Sequence, residues 1–132
     1  MDVIQSAKGI VAHRRHVLLL KHKDVPDGWI LPGGQLFENE PVRIGLRREV
    51  KDETGLDISI QDEVGSSEWT GRVNGAWSRI VGRFFACTTN RYDVTLDADH
   101  MQSKWINPHE YEHEGVIANC WPVMANYLKK YG

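Results

Sequence analysis

Cysteine is scarce: the 132 residues include two, Cys87 and Cys120. Both stand in apolar surroundings with no CxxC or Cys/His metal spacing, which leaves buried thiols as the reading. Long apolar runs are missing as well. No stretch approaches the length of a membrane span, and the opening MDVIQSAKGI lacks the pattern of a secretion signal. A cytoplasmic, reducing location without a membrane partner is therefore expected. Neither sign of charge dominates: 16 Lys and Arg face 18 Asp and Glu, for a net charge of −2. A generic binder of polyanions or membrane surfaces would carry a clear basic excess, so no extended nucleic acid is expected as partner. The length suits one domain spanning residues 1–132, with a real core and no room for a second.

What is present is organised by punctuation. SAKGIVA and HVLLLKHK are short apolar runs separated by the polar HRR, which predicts an early antiparallel strand pair. VPDGWILPGGQLFENE follows, too broken by Gly and Pro for a regular element. Pro41 then suits a first helical turn, with Asn39 or Glu40 available as cap, and a helix is predicted from about Pro41 to Thr54. Val42, Leu46 and Val50 form its apolar stripe, and Gly55 supplies a left-handed stop. Farther on, DISIQDEV alternates like a strand, SRIVGRFFAC reads as a buried strand and WPVMANYLKK as an amphipathic final helix.

The predicted helix raises an electrostatic question. Glu49 and Glu53 are four residues apart and Asp52 is three from Glu49, so all three carboxylates leave one sector of the helix surface. They also crowd its C-terminal turns, where the dipole favours cations. One reading is a solvated face neutralised by Arg47, Arg48 and Lys51. The other is a hard divalent cation held by oxygen ligands, which would turn mutual repulsion into binding energy. The glycine loop directly before the helix favours the second.

Gly34, five residues, Glu40, seven residues, then Arg48-Glu49-Val50-Lys51-Asp52-Glu53-Thr54-Gly55-Leu56 resembles the Nudix box, residues 34–56. Asp52, in place of a Glu, is the departure. GWILPGG just before the box and Trp105 on a late strand are similar to what Nudix proteins, MutT-like ones included, carry. The resemblance implies an α/β/α sandwich in which a central mixed sheet lies between the box helix and a C-terminal helix. It implies hydrolysis of a phosphoanhydride bond in a nucleoside diphosphate linked to another moiety, with Mg²⁺ or Mn²⁺ as cofactor and a small nucleotide as partner, in a monomer or homodimer. Nucleoside triphosphates and nucleotide sugars are the expected substrates, because Arg72 stands where the ADP-ribose type has proline and Val73-Asn74 where the diadenosine polyphosphate type has tyrosine. A Nudix-fold binding or sensor domain without strong catalysis is the alternative; such domains usually lose box acids, and this chain keeps three.

Carried over by position, Glu49, Asp52 and Glu53 are the implied metal ligands, with the Gly33 carbonyl as a further contact and Arg48 holding Glu49. Gly33 and Gly34 let the loop backbone approach the substrate closely. Trp69 and Trp77 bracket TGRVNGA, and one of them could stack on a base; Trp77 is the substrate-binding candidate. Asp99-His100 precedes Trp105 at a spacing similar to an acid-His pair in several Nudix hydrolases. Either could be the general base, with Glu49, Glu110, Glu112 or Glu114 as alternatives and a solvated loop as the plain reading. His13, His16 and His22 are expected at the surface without a role.

Overall fold

A computed structural model describes residues 1–132 of the chain. Six strands form one sheet: β1 (Asp2–His13), β2 (His16–His22), β3 (Gly33–Gln35), β4 (Ser59–Val73), β5 (Ala76–Thr88) and β6 (His100–Ile106). Their order is β4-β5-β1-β2-β6, with β3 also on β1. The sheet is mixed, as expected, because β1 runs parallel to β5 while the other pairings are antiparallel. The helices are α1 (Val42–Thr54) and α2 (Trp121–Tyr131). Neither is long and apolar enough to cross a membrane.

Side-chain alternation along the strands builds two cores. Ile10, Val17, Leu19, Phe84 and Ala86 face Val123, Met124 and Tyr127 of α2, while Val11, Leu18, Leu20, Phe85 and Cys87 face Leu46 and Val50 of α1. Neighbouring residues of one strand thus enter opposite layers, the result of a period of two. Cys87 and Cys120 are free, buried and divided between the layers. Burial pushes their thiols up, Cys87 to about 12 and Cys120 to about 11.

Two local expectations needed correction. Pro41 is itself the cap residue of α1, and no side chain caps the helix. Glu40 is otherwise engaged: its carboxylate accepts from the Phe37 N–H and from Arg48. The other correction concerns length: the strands expected over DISIQDEV and SRIVGRFFAC left residues 65–77 between them without an assigned element. There β4 and β5 run on as one long hairpin closed at Asn74-Gly75. Both turn residues are left-handed, φ 52° and 82°, the geometry that matches strand twist.

The site owes its position to a fork. β1 and β2 pair only at Ala12–Val17 and His13–His16 and then diverge. The loop after β2 fills the gap, bridging Leu20 through Ile30 and pairing Ser6–Lys8 with Gly33–Gln35. This delivers Gly33 and Gly34, the start of β3, against α1.

Candidate active site

Glu53 is set deepest. It is 7% exposed, and its Oε1 accepts a hydrogen bond of 2.9 Å from the Gly33 amide. Burial pushes its carboxyl up to about 8, opposed by the positive charge of Lys8 and by that amide bond. Gly33 has φ 132°, and a Cβ there would run into the Ala7 backbone. At Gly34 a Cβ would lie 2.9 Å from the Glu49 carboxylate. These glycines therefore admit close approach of loop backbone and helix acids, which side chains would prevent.

Arg48 locks the arrangement. Its Nε and one terminal nitrogen grip Glu40 at 2.9 and 3.0 Å, and another nitrogen donates to Glu49 Oε1 at 3.0 Å. It also donates to the Gln35 carbonyl and lies 3.8 Å from the Phe37 ring centroid. The two carboxylates raise the guanidinium pKa further above its ordinary range, and the Arg48 grip together with the Phe37 amide holds Glu40 below the usual carboxylate value. A planar fork with this many partners fixes Glu49 more firmly than a point charge could.

Across the cleft stand Asp97 and His100. His100 is buried, and its Nδ1 lies 2.7 Å from Asp97 Oδ1, which also accepts from the backbone amides of Asp99 and His100. Asp97 is anchored in turn by its own amide to the Glu53 carbonyl. The other ring nitrogen of His100, Nε2, has no protein partner. Asp99 points differently: it is exposed and paired with Lys23 at 2.8 Å, and that hydrogen bond pulls its carboxyl down.

The two helix acids, Asp97 and His100 line one cleft of about 630 Å³ together with Lys8, His22 and Gln35, while Arg48 and Glu40 stand behind its wall. Gly33, Gly34, Glu49, Glu53, Asp99 and His100 all line it; Asp52 and Trp77 do not. Asp52 faces solvent on α1. Trp77 is 56% exposed, with the Arg72 guanidinium 5.2 Å above its ring. The aromatic wall comes instead from Trp69, beside Ile4, Ile80 and Arg72. Glu110 and Glu112 are exposed, and Glu114 pairs with Lys104, all outside the cleft.

Sequence reasoning passed over Lys8, Asp97 and His22 as contributors to the cleft. His22, expected on the surface, is half-buried with its ring 5.0 Å from that of His100. Lys8 had a legible signal, a lone charge in an apolar run. His22 becomes visible only once β2 and β6 are paired, because it lies opposite His100 in that register, and Asp97 only once its amide is docked on the Glu53 carbonyl.

The NUDIX domain model matches residues 4–129. The chain belongs to the Nudix family and is a Nudix hydrolase. It is 30% identical over 125 residues to the low-salt glycan biosynthesis protein Agl8 of Haloferax volcanii, covering 90% of this chain and 76% of that protein. It is 25% identical to the nucleoside triphosphatase NudI of Salmonella arizonae, over 65% of this chain and 66% of the relative. Among solved structures, a MutT protein from Methanosarcina mazei superimposes with TM-score 0.83 at 21% identity, covering 98% of this chain and 95% of the other. The Ap4A hydrolase of C. elegans gives 0.76 at 17%, over 96% of each. These likenesses establish the expected α/β/α sandwich.

Proposed function

We propose that this chain hydrolyses a phosphoanhydride bond in a nucleoside diphosphate bearing a further group, a nucleoside triphosphate or a nucleotide sugar, with Mg²⁺ or Mn²⁺ as cofactor. The observation that carries the reading is the pairing of Glu49, fixed by Arg48, with the buried Glu53 under the Gly33-Gly34 backbone of β3. No three Asp, Glu, His or Cys side chains converge closely enough to hold an ion by themselves. The donors at hand are hard oxygens, Glu49, Glu53 and the Gly33 carbonyl, with Asp52 on the same helix. That set fits Mg²⁺, which takes one or two carboxylates and keeps several waters.

When bound, the ion supplies neutralisation of phosphate charge and a water of lowered pKa. The remaining work falls to the chain. Arg48 keeps Glu49 aimed at Gly34 of β3. Asp97 holds the His100 ring through Nδ1, leaving Nε2 to take the proton of the attacking water; Asp99, pulled down by Lys23, is the weaker base. Trp69 offers an apolar face to the nucleoside. The names of NudI and Agl8, a triphosphatase and a glycan-biosynthesis protein, support the two substrate classes. The chain acts as one domain, 1–132, on a small molecule in the cytoplasm, as a monomer or homodimer.

The test is turnover of a panel of nucleoside triphosphates and nucleotide sugars, followed by product chromatography, with Mg²⁺, with Mn²⁺ and with EDTA. Metal-dependent cleavage of one class is expected. Cleavage unaffected by EDTA, or none across the panel, overturns the proposal.

A further inference from the structure

Residues Ser6–Val11 of β1 are buried except for Lys8, which is half-buried and lines the cleft with Ser6, Glu49 and Glu53. The other cations there are engaged: Lys23 pairs with Asp99, and Arg72 lies over Trp77. The Lys8 ammonium instead donates to two carbonyls, Gly33 at 3.3 Å and Leu31 at 3.5 Å. Both bonds are long, so the group is held loosely. Its place is nevertheless fixed by the sheet, since Lys8 pairs with Gly33 in register and the next amide, of Gly9, donates to the Pro32 carbonyl at 2.8 Å.

Lys8 thus occupies by hydrogen bond one of the oxygen donors assigned above to a divalent ion, in the cleft it shares with the other two, Glu49 and Glu53. We infer that Lys8 is a resident cation of the acid site, which stands in for the divalent ion when none is bound and thereby weakens the affinity of the site for it. The inference rests on the reading that Glu49 and Glu53 hold such an ion. Two cations cannot share the Gly33 carbonyl and the Glu53 field without repulsion, and in a half-buried site that repulsion is weakly screened. Ion binding must then push the ammonium off Gly33, and the affinity falls by the work of doing so.

The experiment is calorimetric titration of the metal-free protein with Mn²⁺, beside the rise in Tm that saturating Mn²⁺ produces over EDTA. Lys8→Met keeps the stem and removes the charge. It is expected to bind Mn²⁺ at least about tenfold tighter and to show a larger Tm rise, while Lys8→Arg stays near wild type. Should Lys8→Met fail to fold, Lys8→Gln retains a donor for the Gly33 carbonyl without charge and is expected to tighten binding likewise. Unchanged or weaker Mn²⁺ binding in the neutral variants overturns the inference. Absence of Mn²⁺ binding in the wild type overturns the metal reading beneath it, so the two failures are distinct.

Discussion

Replacing Glu53 by Gln should stabilise the metal-free protein at alkaline pH while destroying its activity. The Glu53 carboxyl rises from an ordinary 4.5 to about 8 in the folded chain, chiefly through burial. Between those values the native state holds a proton that the unfolded chain has released, so stability falls as pH rises through this window and levels off above it. The full loss is 3.5 pH units at about 1.4 kcal/mol each, or about 5 kcal/mol at about pH 8.5, and close to nothing at about pH 4.5. Glutamine keeps the oxygen that accepts from the Gly33 amide and never ionises, so it escapes that loss. For a chain of this size the difference corresponds to a Tm gain on the order of 15 °C at the alkaline end. The assay is thermal melting of both proteins in EDTA across the pH range, with the difference between them taken so that all other titrations cancel. Saturating Mg²⁺ should then reverse the ranking, because only the wild type has a charged ligand to offer, and kcat of the variant should drop by orders of magnitude. Parallel Tm profiles in EDTA would refute the reasoning.

Three further outcomes are expected. Arg48→Lys should lower kcat by about tenfold to a hundredfold with the fold intact, because an ammonium cannot span Glu40 and Glu49 together; steady-state kinetics at saturating Mg²⁺ checks this, and unchanged rates count against the clamp. His100→Ala should lose about a hundredfold in kcat with little change in KM, whereas Asp99→Asn should keep most of its rate; the reverse pattern would move the base to Asp99. Gly55→Ala should cost about 1 kcal/mol of stability and leave chemistry alone, since φ at that position is 74°, and an undiminished melting temperature would contradict it.

What could be read in the sequence was whatever depends on short spacing. Helix α1 was expected from about Pro41 and begins at Val42, and Gly55 closes it in the left-handed conformation, because stripe, proline and glycine act within a few residues of themselves. The gathering of Glu49 and Glu53 follows from helical period alone. The long β4–β5 hairpin escaped because residues 65–73 lie on the edge strand, where burial alternates between exposed and only half-buried and three of the five inward positions are Gly65, Ser67 and Gly71, so the apolar half of the alternation is too weak to mark a strand. Its turn signal, Asn74-Gly75, was present but had an apolar run on one side only, SRIVGRFFAC after it. The cleft wall was harder still. Trp69 and Trp77 look equivalent in sequence, each an aromatic flanking TGRVNGA. What separates them is Gly82, across the hairpin: a Cβ there would lie 2.7 Å from the Trp69 indole, so only glycine leaves a seat for that ring against Phe84. Trp77 pairs with Arg72 near the hairpin tip and has no such seat. The choice of aromatic is therefore made by the absence of a side chain thirteen residues away on another strand, and register, which the sequence does not display, is what brings that absence to bear.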